Sequence, residues 1–329
     1  MNTTTHAVAL LRRIGAASTL LLGTLALQLG AQTFPSKPVT IVLPYAPGGT
    51  IDIQGRLLGN GLTQKLGQPV IVRNMPGATG AIATEFVARA PADGYTLLFA
   101  SSAQTTSVPM TEKVNYKLED LAPVSASGRG TMVLAINSQV PAKTLKEFID
   151  YAKANPGKLN YGSPGSGSVG HLVAALFVAR AGIDIMHVPY KGGGPAMTDL
   201  LGGQIPMLFG NSGEVMSNAK NDRIRIIAVS TAQRMKQLPN TPAVSELLPG
   251  FEMTAWQGTL APARTPRAVI DVIANAIMAL SKEANTIERL NEIGVESTTT
   301  TPEQMSAIIR GEQGVYAEAV KAAGLMRPQ

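Results

Sequence analysis

Residues 161–172 read YGSPGSGSVGHL, and within them Gly165, Gly167 and Gly170 spell G-x-G-x-x-G. That spacing suits a turn whose backbone comes close to a phosphate or carboxylate at the start of a helix. It is also the pattern of a dinucleotide-binding turn, for which a lone match is weak support. The dinucleotide pattern wants an acid at the end of the next strand, to hold a ribose hydroxyl. Here that strand ends MHVPYKG, with Tyr190 and Lys191, and its only acid, Asp184, stands at its start. Another anion fits better. A helix start offers unpaired N–H groups and a partial positive charge, and Ser166 and Ser168 add hydroxyl donors. A similar cradle, APGGT with Gly48 and Gly49, stands early in the chain, and PGATG follows at 76–80. Each loop also works as a plain tight turn, because glycine punctuates turns everywhere.

Covalent chemistry finds few candidates. Ser163, Ser166, Ser168 and Ser212 all miss the G-x-S-x-G pattern of a nucleophile elbow. The chain has no cysteine, which excludes thiolate catalysis, disulfides and cysteine-ligated metal. No H-E-x-x-H or carboxylate–histidine cluster suggests a metal. His171 and His187 are the histidines that follow the leader described below. His171, two or three residues into a helix, either supports its loop or acts as a base, a role that needs an identifiable partner. Asp52 is either a ligand contact or an acid stabilising the first turn of its helix. Trp256 fits the mouth of a cleft or the core. The expectation is a binding protein without catalysis, cofactor or metal.

The elements that would position these loops follow one order, given twice. VTIVLPY (39–45), a helix over about 52–66, QPVIVRN (68–74), a helix over about 81–90 and GYTLLFASS (94–102) alternate apolar strands with helices, joined by glycine loops. TMVLAIN (131–137), a helix capped by Thr144, LNYGS, a helix over 169–181, IDIMHVPY (183–190), a helix over 195–201 and QIPMLFGNS repeat the order, and IRIIAVS (224–230) follows. Continuous apolar strands alternating with helices imply parallel sheets buried on both faces. The chain is therefore an α/β protein of two open parallel lobes, with strands 131–137 and 224–230 as the hinge. Ligands sit outside the carboxyl ends of such strands, so facing loops would line one cleft. Thr265-Pro266 and Thr301-Pro302 mark helix starts, Gln304 completes a capping box with Thr301, and Gly324 closes the last helix.

At the N-terminus, Arg12 and Arg13 precede an apolar run from Ile14 to Leu29 that ends in Gly30 and Ala31, the layout of a secretory signal peptide. Export to the periplasm with cleavage near Ala31 is expected. About 300 residues remain, enough for two lobes. Loss of the leader, which carries two arginines and no acid, lowers the net charge from +6 to +4. The excess is spread out, without a basic–aromatic stripe, so nucleic acid is not an expected partner.

With these loops in view, the chain resembles the Bug (TctC-like) family of extracytoplasmic solute-binding proteins, which serve tripartite tricarboxylate transporters. The resemblance rests on many phrases spread along the chain, among them FPSKPVTIVLPYAPGGTID, LGQPVIVRNMPGATG, APADGYTLLFAS, NPGKLNYGSPGSGSVGHL, VPYKGGGPAMTDLLGGQI and WQGTLAPARTP. It implies a two-lobed periplasmic-binding-protein clamshell, each lobe an open α/β sheet, that closes on a small carboxylate for delivery to membrane transporter subunits. The implied arrangement is a monomer with lobe 1 over 32–130 and a return segment at about 231–290, lobe 2 over 131–230, and a C-terminal helical segment at 291–329. The resemblance places first-lobe contacts at Tyr45, Gly48, Gly49, Thr50 and Asp52, and at Ala78, Thr79 and Gly80. It places second-lobe contacts at Ser163, Ser166, Gly167, Ser168, His171, Tyr190 and Lys191. The chain departs from the family where Tyr45 and Ala46 replace a common Phe-Pro, and where PGATG replaces a frequent PGAGG. An exported hydrolase on the same architecture, and a ligand sensor docking on a signalling partner, are the alternative functions.

Overall fold

Apolar, β-branched runs become strands, and the glycine turns after them open helices. A computed structural model describes residues 34–48, 50–190 and 192–327; the expected leader over 1–31 lies outside the described residues, as do Gly49 and Lys191. β1 (Val39–Leu43) leads into α1 (Thr50–Leu66). β2 (Val70–Asn74) leads through a 3-10 turn at Ala78–Gly80 into α2 (Ala81–Ala88). β3 (Thr96–Ser101), α3 (Ser107–Thr111), β4 (Leu121–Gly130) and β5 (Met132–Asn137) follow. Next come α4 (Leu145–Ala154), β6 (Leu159–Ser163), α5 (Val169–Ala181), β7 (Ile185–Pro189), α6 (Gly193–Gly202), β8 (Met207–Asn211), α7 (Ser212–Ser217) and β9 (Ile224–Val229). The chain ends with β10 (Ala255–Pro262), α8 (Arg267–Leu280), α9 (Ala284–Glu292), β11 (Glu296–Ser297) and α10 (Pro302–Ala322).

These strands form two sheets, in the orders β11-β4-β10-β3-β1-β2 and β7-β6-β8-β5-β9. The expected parallel pairing holds at the heart of each: β1 with β2 and β3, and β6 with β7 and β8. Neither sheet is wholly parallel. β10 runs antiparallel to β3 and β4, and β5 runs antiparallel to β8 and β9. The cause is connectivity. β4 and β5 are parted by Thr131 alone and belong to different sheets. A strand arriving from the other half enters at the carboxyl edge and must run against the strands whose loops form that edge. The crossings therefore lie at Thr131 and in the stretch 230–254, and the strands expected as a hinge, 131–137 and 224–230, are members of the second sheet.

Capping signals are mostly obeyed. The backbone N–H of Glu147 donates to the Thr144 hydroxyl at 3.2 Å. Thr301 and Gln304 form the reciprocal capping box, with Pro302 at the first helical position. Gly324, at φ +68°, follows the last turn of α10. Thr265 departs from expectation: its hydroxyl donates to the Pro262 carbonyl, and Pro266 is the capping residue of α8. Helix α10 ties the two halves together. Its Met305 and Ile309 pack with Trp256 in the core of the first sheet, whereas Tyr316, Ala319 and Val320 pack in the core of the second. Trp256 is 4% exposed and donates its indole N–H to Glu312 at 2.8 Å, so it is a core residue.

Candidate functional site

Two loops leave the carboxyl edge of the first sheet beside one another, after β1 and after β2. Asp52, in the first turn of α1, fastens the first loop. It is 5% exposed, and its carboxylate accepts from the Gly48 N–H at 3.0 Å, from Arg56 at 2.9–3.0 Å and from the Asn74 amide at 2.9 Å. The Arg56 hydrogen bond, helped by Gly48 and Asn74, holds the carboxyl at about 2 against the opposing effect of burial. Asn74 also donates to the Tyr45 carbonyl at 3.0 Å, so the end of β2 anchors the loop after β1. Both Asp52 oxygens are thus occupied within the protein, and the residue shapes the loop from behind. Thr50 opens α1 and is exposed.

The second loop carries backbone strain. Ala78 and Thr79 have φ of 45° and 53°, between Gly77 at 132° and Gly80 at 93°. Left-handed backbone is uncommon outside glycine and a genuine outlier for a β-branched residue. Such conformations persist where surrounding structure over-determines them, and they cluster at ligand clamps. The over-determining residue here is Gln104, which is wholly buried. Its amide nitrogen donates to the Thr79 carbonyl at 3.1 Å and to the Tyr45 hydroxyl at 2.9 Å, while its oxygen accepts from the N–H and hydroxyl of Ser101. A Cβ on Gly80 would stand 2.7 Å from that same nitrogen, so glycine is required there.

On the second sheet, β6 ends at Ser163 and the glycine loop enters α5. The Ser168 hydroxyl caps α5 by accepting from the His171 N–H at 3.2 Å, and it donates to the Gly165 carbonyl at 2.7 Å. The Gly167 N–H donates to His171 Nδ1 at 3.1 Å, which leaves the proton of the neutral ring on Nε2. Gly167 holds φ +76°, whereas Gly170 serves packing: a Cβ there would lie 2.7 Å from the Phe209 carbonyl oxygen. The His171 and His187 rings stack with centroids 3.6 Å apart and planes 9° apart, over Tyr161. Burial, with a smaller contribution from His187, lowers the His171 pKa to about 4. Tyr190 joins the loop through its N–H, which donates to the Ser163 carbonyl, but its hydroxyl is taken by Asp199 at 2.7 Å. Ser166 is exposed.

The structure thus gathers the predicted residues into two groups. Gln104 and Asn74 unite Tyr45, Gly48, Asp52, Thr79 and Gly80; the glycine loop unites Ser163, Gly167, Ser168, His171 and Tyr190. No hydrogen bond among the described residues joins the groups.

A family model described as the tripartite tricarboxylate transporter family receptor matches residues 55–325. Protein BugT of Bordetella pertussis is 34% identical over 304 residues, which cover 91% of this chain and 93% of that relative. The chain belongs to the tripartite tricarboxylate transporter receptor family. Solved structures agree. R. palustris Rpa4515 with adipate superposes with a TM-score of 0.77 at 30% identity, covering 90% of this chain and 100% of that one. The periplasmic binding protein BugD gives 0.73 at 30% identity over 90% and 100% of the two chains. MatC from Rhodopseudomonas palustris with bound malate gives 0.73 at 27% identity over 87% and 100%. The receptor fold is the two-lobed α/β clamshell of periplasmic binding proteins, one lobe around each sheet.

Two residues of this receptor escaped the sequence reading: Gln104 and Asn74. Neither stands in a glycine motif, and an amide side chain carries no chemical signal of its own. Asn74 ends a strand directly before MPGATG, and that adjacency was the available clue. The Ser163–His187 pair, Oγ to Nε2 at 2.6 Å, resembles half of a catalytic triad. Ser163 is wholly buried, however, and its hydroxyl accepts from the Gly165 N–H and lies 3.1 Å from the Gly165 carbonyl. No carboxylate hydrogen-bonds to the His187 ring among the described residues, so the orienting member of a triad is missing.

Proposed function

We propose that this receptor, exported and cleaved near Ala31, acts as a monomer that holds a small carboxylate in the cleft and delivers it to transporter membrane subunits without turning it over. The observation that carries the reading is the pair of exposed non-glycine residues in left-handed backbone, Ala78 and Thr79, the latter held at its carbonyl by buried Gln104 beside the Tyr45–Gly48 loop. Strain maintained at that cost to the fold has its use at a ligand clamp. The adipate and malate found with Rpa4515 and MatC supply the ligand class. In this reading the first-lobe loops seat the carboxylate, and the glycine loop with the start of α5 faces the remainder of the ligand. Asp52, His171 and Tyr190 act by holding those loops. The committed Ser163 hydroxyl argues against the hydrolase alternative.

Calorimetry with a panel of small carboxylates tests this directly. A bound carboxylate should weaken about ten- to a hundred-fold on conversion to its primary amide, since hydrogen bonds to a charged group contribute about 1.5–3 kcal/mol. An amide that binds as well as its acid, micromolar binding of NAD, or sustained product formation from esters or amides would each defeat the reading. N-terminal sequencing of periplasmic protein should begin a few residues around Gln32, and native mass spectrometry should show one chain.

A further inference from the structure

Three successive residues of α7 lie where the two lobes meet. The Ser212 hydroxyl donates to the Gly294 carbonyl at 2.7 Å. Gly213 packs backbone to backbone on Gly294, so that a Cβ at 213 would stand 2.7 Å from the Gly294 nitrogen. Gly294 lies between α9 and β11, in the lobe of the first sheet. These contacts set the next residue, Glu214, at the seam between lobes. Its side chain reaches across the carboxyl edge of the second sheet to α6. A Cβ on Gly193, the first residue of α6, would overlap both carboxylate oxygens, and one on Gly210 at the end of β8 would lie 3.7 Å from Oε2. Gly193 follows directly on Gly192, close in sequence to the end of β7 at Pro189. The Glu214 carboxylate therefore stands among the second-lobe loops that face the ligand.

Two further facts bear on its role. The carboxylate is half-buried and accepts no hydrogen bond among the described residues. Burial pushes its pKa upward, so a facing donor is what would favour its charged form. A helix start ordinarily attracts an anion. At α6 the protein's own carboxylate stands beside the first residue, Gly193, without accepting from its N–H.

We propose that Glu214 is a specificity-determining residue of the carboxylate cleft, selecting ligands whose far end carries a hydroxyl or ammonium donor and disfavouring a second carboxylate there. The proposal rests on the binding function argued above. A donor at the far end would complete Glu214, whereas a second carboxylate would meet a like charge, and like-charge juxtaposition is strongly penalised at an interface.

The test is calorimetry at pH 7 with ω-hydroxy acids, ω-amino acids and α,ω-diacids of four to eight carbons. Wild type, Glu214→Gln and Gly193→Ala are compared, with melting temperatures as a check on folding. At the chain length that binds best, the wild type should prefer the hydroxy or amino acid over the diacid at least tenfold. Glu214→Gln should reduce that ratio at least fivefold by admitting the diacid. Gly193→Ala, which forces the carboxylate aside, should move it in the same direction. A wild type that binds the diacid as well as its hydroxy and amino counterparts, or a ratio unchanged in Glu214→Gln, overturns the proposal while leaving carboxylate binding intact. If no acid of any length binds the wild type, the binding function itself fails, and the proposal with it.

Discussion

The side-chain amide of Gln104 donates to the carbonyl oxygen of Thr79 at 3.1 Å, joining the end of β3 to a turn that runs against its own backbone preference. The same nitrogen reaches the Tyr45 hydroxyl, so one buried side chain sets the spacing of both first-lobe loops. Gln104→Met keeps the volume and removes both donors. Two hydrogen bonds at about 0.5–1.5 kcal/mol each predict a loss of carboxylate affinity of roughly five- to a hundred-fold. Gln104→Glu, which retains an acceptor for Ser101 and loses the donors, should lose affinity similarly. Titration calorimetry decides the matter; unchanged affinity in both variants would remove Gln104 from the site.

The stacked histidines predict an acid-labile second lobe. His171 is buried and neutral, with its pKa lowered to about 4 from the ordinary 6.5. The unfolded chain binds a proton at higher pH than the native protein, so stability rises with pH through this window. The His171 contribution is fully present above about 6.5 and is lost as pH falls toward 4. At about 1.4 kcal/mol per pH unit the loss approaches about 3 kcal/mol. Denaturant melts of wild type and His171→Gln between pH 7 and 4.5 should show the wild type losing more stability. Affinity should stay flat over neutral pH and fall below about pH 5, when Nδ1 ceases to accept from Gly167. Equal acid sensitivity in the two proteins would refute this.

The last two glycines of G-x-G-x-x-G should separate by experiment. Gly170→Ala places a Cβ 2.7 Å from the Phe209 carbonyl oxygen; overpacking of this kind costs about 1–3 kcal/mol of stability. Gly167 has open space around it, its nearest neighbour being Leu325 at 3.9 Å, so alanine there meets only the left-handed strain of about 1–2 kcal/mol. Gly167→Val should weaken binding more than Ser166→Ala, because a β-branched residue distorts the turn. Melting temperatures and calorimetry on the same four variants measure both effects.

Glu312 lets Trp256 report on pH. Burial raises its carboxyl to about 8, although the indole N–H favours the charged form. The folded state here binds more protons than the unfolded state between about 4.5 and 8, so stability falls as pH rises through that range. Glu312→Gln should therefore melt higher than wild type at pH 9 and similarly at pH 4.5. Trp256 emission should shift near pH 8 in wild type and stay constant in the variant. A wild-type emission flat from pH 6 to 9 counts against a titrating partner.

Much of this receptor was legible before its structure. Strands such as VTIVL and IRIIAV and capping residues such as Thr144 and Thr301 encode their conformation locally, through side-chain branching and hydroxyl geometry, and glycines mark the ends of strands and helices alike, where the chain takes left-handed turns. β4 and β10 carry no strand signature of their own: LAPVSASGRG and AWQGTLAP are rich in small residues and proline. Their small residues answer to neighbours in space, as at Gly258, where a Cβ would lie 2.8 Å from the Ser125 carbonyl oxygen on the adjacent strand.

The sequence by itself determined the alternation of the parallel strands with their helices, the positions of the loops and the absence of thiol chemistry. Tertiary structure alone decided the direction of the strands that cross between sheets, the bridging role of α10 and the partners of each polar side chain. Conformational preference acts over a few residues and is written in each segment. Hydrogen-bond partnership acts over a few ångströms between segments far apart in sequence, as for Gln104 with Tyr45 across 59 positions. No local pattern records where the fold will bring such partners together.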